Sequence, residues 1–199
     1  MNRYVNQFMK FNCAGDILNS VLPMKRPVQQ VTETMSILKQ LRSRVLREPN
    51  KYSIVEITNG NGLEAISALH MLPIKQATVF STKPPCKLLD RVKNLKYYNR
   101  NFNYDRDKQF VDPNTILLVS GFNSNCDSSQ SAIDAFLDNA PNPGLIILPE
   151  HGFYIPEDTA VTKLMGKYAA TCMRIRDLVG GKMIMDRNII GPRNILIVA

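Results

Sequence analysis

No apolar run in this 199-residue chain approaches the roughly 18–20 residues that a membrane-spanning helix needs, so no span and no membrane partner is expected. The N-terminus lacks the continuous apolar centre of a secretory signal. Cys13, Cys86, Cys126 and Cys172 form no C-x-x-C pair, and His70 and His151 are the only imidazoles. Zinc or another metal is therefore not expected, and cysteines so spaced fit a reducing, cytoplasmic setting. There is no Gly/Ser-rich linker and no internal repeat. At 44% hydrophobic residues the chain is too apolar to be disordered. Its length suits one substantial core, with residues 1–50 reading as an N-terminal helical extension packed on a domain of residues 51–199.

Lysine and arginine are missing altogether from residues 109–162, which carry seven acids. The net charge of +8 resides elsewhere: nine bases against three acids in residues 1–51, nine against three in 75–108, and seven against two in 163–199. Basic blocks flanking an acidic one suit a polyanion such as RNA, although solvated helix faces of mixed charge give the same distribution. Within the front block, Lys39, Arg42, Arg44 and Arg47 place four bases in nine residues and are the candidate phosphate contacts.

Periodicity organises what is present. Val31, Met35, Leu38, Leu41 and Val45 recur at helical steps, predicting a helix over 28–47, with a weaker helical pattern over 4–20. From residue 52 the pattern alternates. Strands are expected at 52–57, 76–81, 97–104, 115–120, 144–148, 182–190 and 194–199, and helices at 63–71, 86–96, 129–139 and 159–179. Strands alternating with helices at this spacing imply a doubly wound, mostly parallel α/β sheet of seven strands, with ligands at the strands' C-terminal ends. The last two strands are joined through Gly191-Pro192-Arg193, too short for a crossover helix, so they must form an antiparallel C-terminal hairpin at the sheet's edge.

The most informative stretch is Glu56-Ile57-Thr58-Asn59-Gly60-Asn61-Gly62. A β-branched run ends in an acid, two closely spaced glycines follow, and a helix begins at Leu63. Such a turn can bring backbone N–H groups and a helix N-terminus to a nucleotide-like ligand, or it can simply join a buried strand to a helix. Glu56 sits where a carboxylate could meet a ribose, an amino group or another donor, or could order the glycine loop itself.

This order of elements, closed by an antiparallel hairpin, resembles the class I S-adenosylmethionine-dependent methyltransferases. The likeness spans roughly residues 50–199, and the family's acid-and-glycine motif falls on Glu56, Thr58, Gly60 and Gly62, with Thr58 replacing a glycine. Residues 68–73, 117–133 and 145–153 are similar to a subset that includes tRNA-modifying enzymes. That subset tends to carry His-x-Cys-Gly and then Pro-Cys-Cys-His-Gly. Gly121 is kept from the first signature, and Pro149, His151 and Gly152 from the second, but neither cysteine position is. The resemblance implies S-adenosylmethionine as cofactor, held by Glu56, Thr58, Gly60, Gly62, Ser81, Thr82, Asp105, Ser120 and Gly121. Asn123 would join Ser120 and Gly121 on the pocket floor, whereas Asn125, Cys126 and Asp127 also read as turn chemistry.

Two departures from the family pattern bear on activity. The acid expected at the end of the second strand, which would hold both ribose hydroxyls, falls on Ser81 or Thr82. A hydroxyl lacks the paired acceptors of a carboxylate, and losing one charge-assisted pair weakens binding by about 1.5–3 kcal/mol. Lys83 beside it would suit a phosphorylated ribose, which keeps a nicotinamide dinucleotide as a third reading. There is also no Asn-Pro-Pro-Tyr-like signature after residues 115–120. Methyl transfer draws much of its acceleration from holding reactants in line, so that absence leaves activity open. His151, just past a buried strand, is the candidate for acid–base or substrate contact, or a backbone-bonded loop histidine. Phe153 and Tyr154 would stack on a base or pack as a satellite core, and Asp107 reads as a solvated loop acid like Asp105. The expected function is RNA methylation. The alternative is a methyltransferase-fold protein without catalysis, serving as an RNA-binding or protein-interaction module.

Overall fold

The structure, a computed structural model, describes residues 2–122, 127–139, 144–151 and 159–199. Asn123, Asn125, Cys126, Gly152, Phe153 and Tyr154 lie outside them, as do the side chains of Phe122 and Asp127. Three helices come first: α1 (Arg3–Met9), α2 (Ala14–Val21) and α3 (Pro27–Val45). Then follow β1 (Ser53–Thr58), α4 (Leu63–Met71), β2 (Gln76–Ser81), β3 (Leu95–Tyr98), the single turn α5 (Tyr104–Asp107) and β4 (Thr115–Phe122). The chain continues through α6 (Asp127–Asn139), β5 (Gly144–Pro149), α7 (Thr159–Met165), α8 (Lys167–Val179), β6 (Lys182–Met185) and β7 (Ile195–Val198).

The strands form one sheet in the order β3-β2-β1-β4-β5-β7-β6. Its first five strands are parallel, and β7 runs antiparallel to both β5 and β6. The expected architecture is therefore present, with one adjustment: the antiparallel strand is β7, one place in from the edge that β6 occupies. β1 is buried along its whole length, as a central parallel strand covered on both faces must be. Alternation divides its side chains. Ile54 joins a core with Ile17, Val31, Leu38, Leu41 and Ile66 from α2, α3 and α4, while Val55 and Ile57 join Ile133, Phe136, Cys172 and Ile175 from α6 and α8.

Local sequence explains where the elements depart from expectation. The helical pattern over 4–20 divides into α1 and α2, and that over 159–179 breaks at Gly166, whose φ of 80° no helix accommodates. No helix forms over 86–96, where only Leu89–Arg91 make a 3₁₀ turn. That stretch buries just Leu89 and Val92, too narrow an apolar stripe to hold a helix on the sheet, and Asn94 closes it at φ 61°. The third strand consequently starts at Leu95 and ends at Tyr98, before Arg100 and Phe102.

The two ends of the fold are clasped by Asp186, which follows β6. The hydroxyls of Tyr4 and Ser36 both donate to its Oδ2, and the Asn188 N–H donates to Oδ1 at 3.0 Å. Burial alone would raise this carboxyl's pKa; the Tyr4, Asn188 and Ser36 hydrogen bonds outweigh it and hold the pKa below the ordinary value. Burial and the Asp186 charge push the Tyr4 phenol up to about 12.

Candidate functional site

The turn from β1 into α4 is held by its own polar groups. Glu56, fully buried, accepts the backbone N–H of Ala65 in the first turn of α4 at 2.8 Å, supplying a cap that Gly62 has no side chain to give. Thr58 Oγ1 accepts the N–H of Gly60 at 2.9 Å, and the Ser81 hydroxyl donates to the Gly60 carbonyl at 2.9 Å. The Asn61 carboxamide donates to the Val21 carbonyl at 2.6 Å, tying the loop to the end of α2. Gly62 has φ 76°, and a Cβ there would lie 3.0 Å from a Val79 methyl, so both the conformation and the close approach to β2 require glycine.

Beside this loop a cavity of about 380 Å³ opens at the C-terminal ends of β1, β4 and β5 and is roofed by the start of α3. Its charged lining carries both signs: Lys25, Arg26 and Lys83 against Glu33, Glu64 and Glu150, with Arg193 spanning the acids. Arg193 donates through Nη2 and Nε to Glu33 at 2.5 and 3.1 Å and through Nη1 to Glu150 at 3.2 Å. Burial pushes the Glu33 carboxyl up, against the opposing pull of Arg193. Ser120 donates to Glu64 at 3.1 Å. Gly121, at φ 83°, sits on the β-bulge between Ser120 and Phe122, and a Cβ on it would come within 2.9 Å of the Glu150 carboxylate.

Behind the wall, Glu56 forms an acidic pair with Glu64, which is in the lining. Burial, then the Glu64 charge, raises the Glu56 pKa well above the carboxylate range. Glu56 Oε1 has no hydrogen-bond partner among the described residues.

Thr58, Gly60, Ser120, Gly121 and the exposed His151 thus line one cavity. Other expected ligands lie elsewhere. Glu56 is behind the wall and caps a helix. Ser81 is buried, with its hydroxyl committed to Gly60 and accepting the Lys83 N–H. Thr82 is exposed and off the lining, and Asp105 is exposed on α5. Asp107, expected to be solvated, is instead buried. It accepts two hydrogen bonds from Arg100 at 2.6 and 2.7 Å and one from the Asn103 N–H at 2.9 Å. Burial raises its pKa, but Arg100 prevails and holds it below the ordinary value. His151 rests 5.4 Å from the Tyr168 ring. Of the four bases on and just after α3, Lys39, Arg42 and Arg47 are exposed, but Arg44 lies over the Tyr52 ring at 5.6 Å and against Gly144. Sequence reading missed Glu33, Glu64, Glu150 and Arg193. The available signals were Glu64 two residues past Gly62 and Glu150 directly after a buried strand.

No protein-family model matches the chain, and no curated protein does. Solved structures do. The methyltransferase domain of a bacterial protein, CtHen1-CN, is 13% identical over 85% of this chain and 98% of its own, with a TM-score of 0.50. The fold is a methyltransferase fold. Looser likenesses are an rRNA methylase from Streptococcus thermophilus (15% identity, 88% and 96% coverage, TM-score 0.48) and a Streptococcus mutans protein described as a methyltransferase and solved with SAH (14%, 75% and 86%, 0.45).

Proposed function

We propose that this methyltransferase-fold protein binds S-adenosylmethionine and methylates RNA. The observation that carries this reading is the open cavity beside Gly60, whose lining offers both charge signs within one small space. An amino-acid moiety presents an ammonium and a carboxylate together. Glu64 would take the first, and Lys83 and Arg26 the second. The cofactor would supply an electrophilic methyl group; the chain's own residues bind, orient and exclude water. His151 at the rim would touch the incoming base. For RNA, the segment after β2 presents Lys83, Lys87, Arg91, Lys93 and Lys96, all exposed and none in an ion pair among the described residues. Phosphate contacts of that kind give strongly salt-dependent binding.

The ribose end fits less well. It has no free carboxylate, and the Ser81 hydroxyl is already used. Affinity is therefore expected to be at least about tenfold below that of a site with the acid in place. Calorimetry with S-adenosylhomocysteine tests the reading: saturable binding supports it, and a folded protein that takes up none at millimolar ligand rejects it. That second result would favour the same fold acting as a cofactor-free RNA-binding module, which the committed Ser81 and the Arg100–Asp107 closure recommend.

A further inference from the structure

A second cavity, about 340 Å³, lies between α1 and α3 near the end of α4 and shares no lining residue with the one beside Gly60. Its floor is apolar: Tyr4, Met35 and Leu38 are buried, and Met71 and Leu72 are half-buried. Phe11 and Leu46 stand at the mouth, 41% and 47% exposed. Arg3, Lys39 and Arg42, all exposed, stand at the rim with the polar Gln7 and Asn188, and no carboxylate among the described residues lines the cavity. Asp186, the acid behind Tyr4, is spent on its own clasp. None of the three cations has an ion-pair partner among the described residues.

Helical spacing builds this arrangement. Lys39 follows Met35 by four residues and Arg42 follows Leu38 by four, so both apolar side chains that α3 gives to the floor have a cation one turn further along the helix. Unpaired cations facing an apolar hollow with no counter-charge create a positive field where water is readily displaced. The volume is at the small end of the roughly 300–1,000 Å³ typical of small-molecule sites, too small for a helix of another protein.

We propose that this groove binds a small amphipathic anion, an acyl-type apolar body ending in a carboxylate, with its body on Met35, Leu38 and Met71 and its head between Arg3, Lys39 and Arg42. Lys39 and Arg42 are thereby assigned to a head group rather than to an RNA backbone. The site stands independently of the methyltransferase reading.

Calorimetric titration of the full chain with decanoate tests it. Saturable binding is expected, weakened about tenfold or more by combined Lys39→Glu and Arg42→Glu and unchanged by Lys182→Glu on the exposed face of β6. Leu46→Gln, at the exposed mouth where folding is not at stake, should weaken it as well. Absence of saturable binding, equal affinity in the double variant, or an oligouridylate binding through Lys39 and Arg42 while decanoate does not, would each overturn the proposal.

Discussion

The C-terminal edge of the sheet has two halves that treat their polar groups in opposite ways. On the β1–β4–β5 side, charges of both signs face a cavity, and Gly121 keeps the space clear. On the β2–β3 side the same kind of strand end is closed on itself. The Asn99 carboxamide, with its nitrogen turned inward, donates to the carbonyls of Thr82 and Lys83 at 3.1 and 2.8 Å, and the Tyr97 hydroxyl donates to Lys83 at 2.9 Å. The Arg100 guanidinium lies 5.0 and 4.8 Å from the ring centres of Phe80 and Tyr98 while pairing with Asp107. Phe80 also packs against Phe102 and Phe110. Topology makes both halves eligible to hold a ligand; the state of their hydrogen bonds separates them. A group that already has its partners gains little by exchanging them for a ligand.

The largest test of this contrast is Arg100→Ala in the closed half. It leaves the Asp107 carboxylate buried without its cation. We expect a loss of about 2–3 kcal/mol, below the 3–5 typical of a fully buried pair because Arg100 retains contact with water. Asp107 has a depressed folded pKa, so its contribution is present above the ordinary carboxylate pKa of about 3.9 and lost as pH falls; the gap between variant and parent should narrow there. Urea unfolding at pH 7 and pH 3.5 reads both, and S-adenosylhomocysteine binding should be less affected than stability.

Next is Glu56→Gln, behind the open half. Glutamine keeps the carbonyl that accepts the Ala65 N–H, but it cannot ionise. The Glu56 pKa is raised in the folded state, so its stabilising contribution is full below the ordinary value of about 4.3 and is lost as pH rises through the raised one. The variant should gain on the parent with rising pH by up to about 1.4 kcal/mol per unit inside that window. Thermal unfolding from pH 4 to pH 8 checks this, and parallel profiles would contradict it.

The smallest effect belongs to Ser81→Ala on the boundary between the halves. Removing the hydroxyl leaves the Gly60 carbonyl and the Lys83 N–H without that partner, a cost of about 1 kcal/mol. Denaturant midpoints should register it. If cofactor affinity falls by more than stability does, Ser81 acts on the ligand as well as on the loop.

The mostly parallel sheet and its closing hairpin were legible because apolar runs such as residues 115–119 and 144–148 read as buried strands, and the link into the last strand, which includes Gly191-Pro192-Arg193, holds no crossover helix. The places of Gly60 and Gly121 at strand ends beside the cavity were legible because they follow from topology. Glu56 was legible as either a ligand contact or a group that orders the glycine loop; which way its carboxylate turns depends on an unsatisfied helix N-terminus that no local pattern displays. Arg193 and Glu33 lie 160 residues apart and meet only once the hairpin folds back over α3. Asp107 shows the same limit, since its partner Arg100 became available only because β3 ended early at Tyr98.

The Asp186 clasp joins the first helix of the chain to its last hairpin. One carboxylate gathers Tyr4 from 182 residues upstream and Ser36 from 150. Closing chain loops of that length costs entropy that the contact alone cannot offset, so the clasp waits until the intervening sheet exists. The helical front is thereby tied to the closing hairpin at the same time as Val31, Leu38 and Leu41 of α3 share a core with Ile54 of β1.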